Sequence, residues 1–154
     1  LEYEELDLKI LDEVSTKYPL KSHITIHRDF DYFNYRYAQH PTRRYGMLSF
    51  DNRVSAIYTI NNNKGFREMV VTDVLGDIQL VKRLLNSIVK VAKKNNCAFI
   101  AIMNDNYMLN KLWGKGFVKK KEKNFTVYPI NDSYYNIITH ISSWNMSASM
   151  HDSI

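Results

Sequence analysis

Asp73 and Glu68 are the side chains of this sequence with the clearest use as proton acceptors. Both stand in segment 66–75, whose Val- and Met-rich pattern reads as a β-strand. A carboxylate on a strand beside a cleft can take a proton from an attacking amine. Alternation puts residues 69, 71, 73 and 75 on one face and 68, 70, 72 and 74 on the other. Asp73 is therefore expected half-buried among Met69, Val71 and Leu75. A structural Asp bonded to a neighbouring turn is the competing use, because buried polar groups are generally hydrogen-bonded. Just downstream, Gly76 and Asp77 open a long helix, and Asp77 is expected to cap its first N–H groups. Lys82 and Arg83 can neutralise an anion at that helix end or simply face solvent.

Other chemistry-bearing groups are less organised. His23 and His27 are four apart, but Ile24, Thr25 and Ile26 between them favour extended chain, and no third ligand accompanies them, so no metal site is expected. Cys97 opens an apolar run and reads as an inert core thiol. Tyr32, Phe33, Tyr35 and Tyr37 form the densest part of a chain with 11 Tyr. On a helix, Phe33 and Tyr37 would pack inward, while Tyr134, Tyr135 and Trp144 are freer to form an outer contact surface. Lys111, Lys115, Lys119, Lys120, Lys121 and Lys123 form a basic patch, read as a solvated edge or a phosphate contact.

The elements that would carry these groups follow from periodicity. Leu6, Ile10, Leu11 and Val14 predict an opening helix over 4–18, closed by Pro19. Asp29 is placed to cap a second helix that ends before Pro41. Segments 45–50 and 54–60 predict strands joined by Asp51, Asn52 and Arg53, and residues 61–65 predict the next hairpin turn. Leu80, Leu84, Ile88 and Val91 predict a helix over 78–94. Segment 97–103 reads as a strand buried on both faces at the sheet centre. A short helix through Trp113 and strands at 117–118, 125–130 and 137–144 complete the reading.

The chain has 154 residues, 45% hydrophobic and 24% charged, with a formal charge of +5, which suits one domain with a single core. No run reaches the about 18 apolar residues of a membrane span, and one Cys excludes an internal disulfide framework. The start at Leu1 reads as a fragment of a longer protein in a reducing compartment.

Three strings in order resemble the Gcn5-related N-acetyltransferase (GNAT) fold over roughly residues 30 to 130. They are Val54-Ser55-Ala56-Ile57-Tyr58-Thr59-Ile60, then Val70-Val71-Thr72-Asp73-Val74-Leu75-Gly76 with its helix, and Leu112-Trp113-Gly114-Lys115-Gly116-Phe117. Asp31-Tyr32-Phe33-Asn34-Tyr35-Arg36-Tyr37 with His40-Pro41 is similar to a string in the C-terminal GNAT-like domain of longer bacterial acyltransferase proteins linked to cell-envelope polysaccharide synthesis. The resemblance implies a strand whose backbone N–H groups hold the pantetheine arm and polarise a thioester, here Val74, Leu75 and Gly76. It implies a diphosphate at the next helix N-terminus, near Lys82, and Asp73 as the base. This sequence departs from the family pattern at two places. The glycine-rich phosphate turn keeps only Gly76 and carries Asp77, and Leu112 stands where the family's thiolate-protonating Tyr is expected, a role not transferred to Tyr107 or Trp113.

The combined expectation is a mixed α/β protein, residues 1–154 forming a single GNAT-like domain. Its central sheet is mostly antiparallel with one parallel pair at the crossover, and helices cover both faces. The resemblance implies transfer of an acyl group from acetyl-CoA or another acyl-CoA, without a metal, to a small amine such as an amino sugar or an amino-acid-like amine, in the cytoplasm. Partners would be an N-terminal domain of the same protein and that amine. A non-catalytic, scaffolding GNAT-like domain without CoA binding is the alternative, and a basic nucleic-acid binder a distant one.

Overall fold

The computed structural model describes residues 3–19, 26–63 and 65–102. The expected elements beyond residue 102, with the lysine patch, Tyr107, Leu112 and Trp113, lie outside them, as does His23.

Helix α1 spans Leu8–Lys17. It begins later than expected because Asp7 is its cap, accepting from the N–H groups of Lys9 and Ile10 at 3.0 and 3.1 Å. The chain before it is extended, with the Met47 N–H donating to the Glu4 carbonyl. Asp29 caps α2, Phe30–Phe33, through the Tyr32 N–H at 2.9 Å. From there the chain runs on as a π-helical turn, Asn34–Ala38. That wider turn keeps both Phe33 and Tyr37 inward and stacked, their ring centroids 6.5 Å apart, while Tyr35 is exposed.

Four strands form one sheet in the order β1 (Gly46–Phe50), β2 (Val54–Asn63), β3 (Phe66–Gly76), β4 (Cys97–Ile102). The first two pairings are antiparallel and β3–β4 is parallel. Asp51 and Asn52 take positive φ in the β1–β2 turn, which is what their side chains tolerate. The second hairpin is tighter than expected: Asn63 pairs with Phe66, and Gly65 at φ +91° completes the turn. Helix α3, Val81–Lys94, forms the crossover and buries Val81, Leu84, Leu85, Ile88 and Ala92. The fold class is thus the expected one, a mixed sheet with a parallel pair at the crossover.

Two cores flank the sheet. Val54, Ala56, Tyr58, Met69, Val71 and Val74 pack with α3. Ile57 and Leu75 pack on the opposite face with Leu11, Val14, Phe33 and Tyr37. Strand β3 contributes to both through a bulge: Tyr58 pairs with Val71 and Ile57 with Asp73, leaving Thr72 as an extra residue. The Thr72 hydroxyl donates to the Ile57 carbonyl at 3.2 Å.

This bulge corrects the expected face of Asp73. Strict alternation would set Asp73 beside Met69 and Val71. The extra residue moves it to the α1–α2 side with Leu75. Strand β4 is also not buried on both faces. Ala98 and Phe99 are exposed, and among the described strands β4 pairs only with β3.

Candidate functional site

Of the residues expected to bind an acyl donor, Val74, Leu75 and Gly76 are the last three positions of β3, and Lys82 lies on α3. Strand β4 pairs with β3 only as far as Val71–Ile102, so no described strand covers the outer edge of 72–76. The inner edge is bonded to β2. The Asp77 N–H donates to the Arg53 carbonyl at 2.8 Å, which makes 53 and 77 a hydrogen-bonded pair. Because such pairs alternate along an antiparallel ladder, Ser55–Leu75 is bonded too, and Val54–Gly76 and Ala56–Val74 are not. The Leu75 N–H therefore points to β2. Those of Val74 and Gly76 point outward. Of the three residues named from sequence, two present donors on that edge, while Leu75 serves the inner core, 2% exposed.

Gly76 is fixed by geometry. Its φ is +106°, and an added Cβ would stand 2.2 Å from the Arg53 carbonyl oxygen. The close approach of β2 and the turn into α3 both depend on it.

Asp77 does not cap α3. Its Oδ1 accepts from the Gln79 N–H at 2.9 Å and its carbonyl from the Leu80 N–H at 3.0 Å, closing a turn before the helix. Its other carboxylate oxygen pairs with the Arg53 guanidinium. The Arg53 pKa is raised, first by its hydrogen bond to the Tyr18 hydroxyl and further by Asp77. Helix α3 begins after Leu80 with no side-chain cap, and Lys82 stands exposed in its first turn. Arg83 lies with its guanidinium carbon 5.5 Å from the Phe50 ring centre. The end of β3 thus leads through a turn that carries the Arg53–Asp77 pair to a helix N-terminus without a side-chain cap, a setting that favours an anion.

Asp73 sits in a different environment. The Tyr37 hydroxyl donates to its Oδ2 at 2.6 Å, and the Arg28 guanidinium lies 3.3 Å from its Oδ1. The Arg28 and Asp73 side chains are 2% and 1% exposed. Both carboxylate oxygens are engaged away from solvent, so the geometry ties the π-helical turn and the stretch before α2 to the sheet and gives an amine no access. Glu68 is half-buried, with one long contact of 3.5 Å from the Asn61 amide. Sequence reasoning missed Arg28, which sits in an irregular stretch before α2 where no periodicity marks a buried charge. It also missed Arg53, whose partner is 24 positions away.

His27 pairs with Asp29 at 3.3 Å on the surface. Among the described residues, no three His, Cys, Asp or Glu side chains gather as metal ligands, and no helix is long and apolar enough to cross a membrane. Cys97 is half-buried and free, its pKa raised by burial, with Arg67 pulling more weakly the other way.

No protein-family model and no curated protein matches the chain. Solved structures do. A ribosomal-protein-alanine N-acetyltransferase from Brucella melitensis biovar Abortus 2308 superposes with a TM-score of 0.56 at 11% identity, over 79% of this chain and 92% of that one. The wild-type protein TTHA1254 from Thermus thermophilus gives 0.53 at 14%, over 86% and 99%. Identities this low speak for architecture, and the architecture of this chain is GNAT-like.

Proposed function

We propose that the chain is an acyl-CoA-dependent N-acyltransferase domain acting on a small amine, an amino sugar or an amino-acid-like acceptor such as those built into cell-envelope polysaccharides. The carrying observation is the continuous path from the outward Val74 and Gly76 N–H groups to the α3 N-terminus without a side-chain cap. Acetyl-CoA or a longer acyl-CoA, when bound, supplies an activated thioester. Val74 and Gly76 would donate to its carbonyl or amide oxygens, and the first-turn N–H groups of α3 with Lys82 would hold its diphosphate. In this reading Asp73 is a positioning residue that fixes β3 against the π-helical turn. The amine proton leaves to water or to a group outside the described residues. The reading places the domain in the cytoplasm, beside an N-terminal domain of the same protein.

A second reading is a GNAT-like scaffold without CoA chemistry. Its specific support is the negatively charged Asp77 in the turn and the closed surroundings of Asp73. Titration calorimetry with acetyl-CoA separates the two. Saturable binding that is weakened by Lys82→Gln supports the first, and no heat up to on the order of 1 mM ligand supports the second.

A further inference from the structure

A cleft of about 350 Å³ opens between the end of the π-helical turn and the start of β1, away from the β3–α3 turn. Tyr37 and Tyr45 wall it, their rings edge-to-face at 4.9 Å, and Leu6 adds an apolar side. The Tyr37 hydroxyl is held by Asp73, so that wall is rigid. The polar lining is His40, Thr42, Arg43 and Arg44, and no Asp or Glu side chain among the described residues lines the cleft.

The donors are arranged rather than scattered. His40 Nδ1 accepts from the backbone N–H groups of Thr42 and Arg43 at 3.3 and 3.1 Å. An accepting Nδ1 carries no proton, so Nε2 carries it and is a donor. The His40 ring is also fixed edge-to-face on Tyr45 at 5.6 Å. Arg44 rests over the Tyr3 ring, its guanidinium carbon 5.2 Å from the ring centre, while its carbonyl accepts from the buried Thr59 hydroxyl at 2.9 Å. That bond anchors the loop to β2. Neither Arg43 nor Arg44 forms an ion pair with a described residue. His40, Thr42 and Arg43 therefore line an aromatic-walled concavity together, with Arg44 at its rim turned onto Tyr3 and no carboxylate among the described lining residues.

We propose that this cleft binds a small organic anion, its carboxylate or phosphate held by Arg43 and the His40 Nε2–H and its carbon skeleton against Tyr37 and Tyr45. The site is independent of acyl transfer and stands or falls without it.

The test is calorimetry of the full chain with sodium phosphate and, separately, sodium succinate, in a low-salt chloride buffer. At least one is expected to saturate, with affinity falling about tenfold in Arg43→Gln. His40→Asn is the sharper variant: its Oδ1 keeps the two turn bonds while the Nε2–H is lost, so binding weakens as the circular dichroism spectrum stays the same. Lys17→Gln, on α1, should change nothing. Saturation by phosphate alone assigns a phosphoryl ligand, and by succinate alone a carboxylate. No saturation by either up to on the order of 10 mM overturns the proposal. So does binding that Arg43→Gln leaves intact, and that half-exposed position keeps the test decisive if His40→Asn fails to fold.

Discussion

The Tyr37 hydroxyl on the π-helical turn and the Asp73 carboxylate on β3, 36 positions apart, meet at 2.6 Å, with Arg28 on the other carboxylate oxygen. Asp73 looks catalytic by type and position, yet its partners make it a strut between helix and sheet. Asp73→Asn is expected to cost about 3 kcal/mol or more, because it removes the counter-charge of a buried guanidinium. Tyr37→Phe should cost about 1–2 kcal/mol for a lost buried hydrogen bond. Urea unfolding midpoints measure both. If Asp73 instead accepted the amine proton, both variants would keep their midpoints and lose turnover only.

Gly76→Ala sets a Cβ against the Arg53 carbonyl at a φ of +106°. We expect a loss of about 3 kcal/mol or more, since both space and dihedral are refused. Any acetyl-CoA binding by the remaining folded fraction should fall with it, because the same residue aims the chain into α3.

Asp77→Asn keeps an oxygen for the Gln79 N–H and removes the negative charge near the α3 N-terminus. Its pair with Arg53 is solvent-screened, so the urea unfolding midpoint should barely move. Acetyl-CoA affinity should rise about threefold, an increment typical of one charge near a helix terminus. The gain should shrink as salt is raised. An unchanged affinity would detach the diphosphate from this end of α3.

Burial pushes the Cys97 thiol above its ordinary pKa, against a smaller lowering by Arg67. At pH 8 it should alkylate with iodoacetamide severalfold more slowly than the unfolded chain, roughly in proportion to its smaller thiolate fraction. The linkage has a definite sign. A pKa raised on folding stabilises the thiol form, so the contribution is full below the unfolded value and is lost as pH rises through the folded one. Tyr58 behaves alike, raised chiefly by burial, so alkaline unfolding should come earlier than in Tyr58→Phe.

Local signals in the sequence carried far. Asp29 before an aromatic stripe, Asp51-Asn52 between alternating runs, and Gly76 ahead of a periodic helix each act within a few residues, and each appears where the pattern places it. Long-range pairings are silent in such patterns. Nothing around Arg28 announces Asp73, and nothing around Asp77 announces Arg53. Apolar content likewise could not separate a fully buried strand from the partly exposed β4, because Val, Ile and Phe suit either setting. The face of Asp73 failed for a sharper reason: Thr72 and Asp73 are both polar, so alternation offers no mark of which one is the extra residue.

That surplus residue also polices how the strand can be assembled. Were β3 laid down flat with every residue kept, all positions from Asp73 onward would turn over. A carboxylate would be pressed into the hydrocarbon under α3, and Val74 would be offered to a guanidinium. Misregistration by one step is therefore penalised on both sides of the sheet at once, and a half-correct pairing has no comfortable state in which to rest.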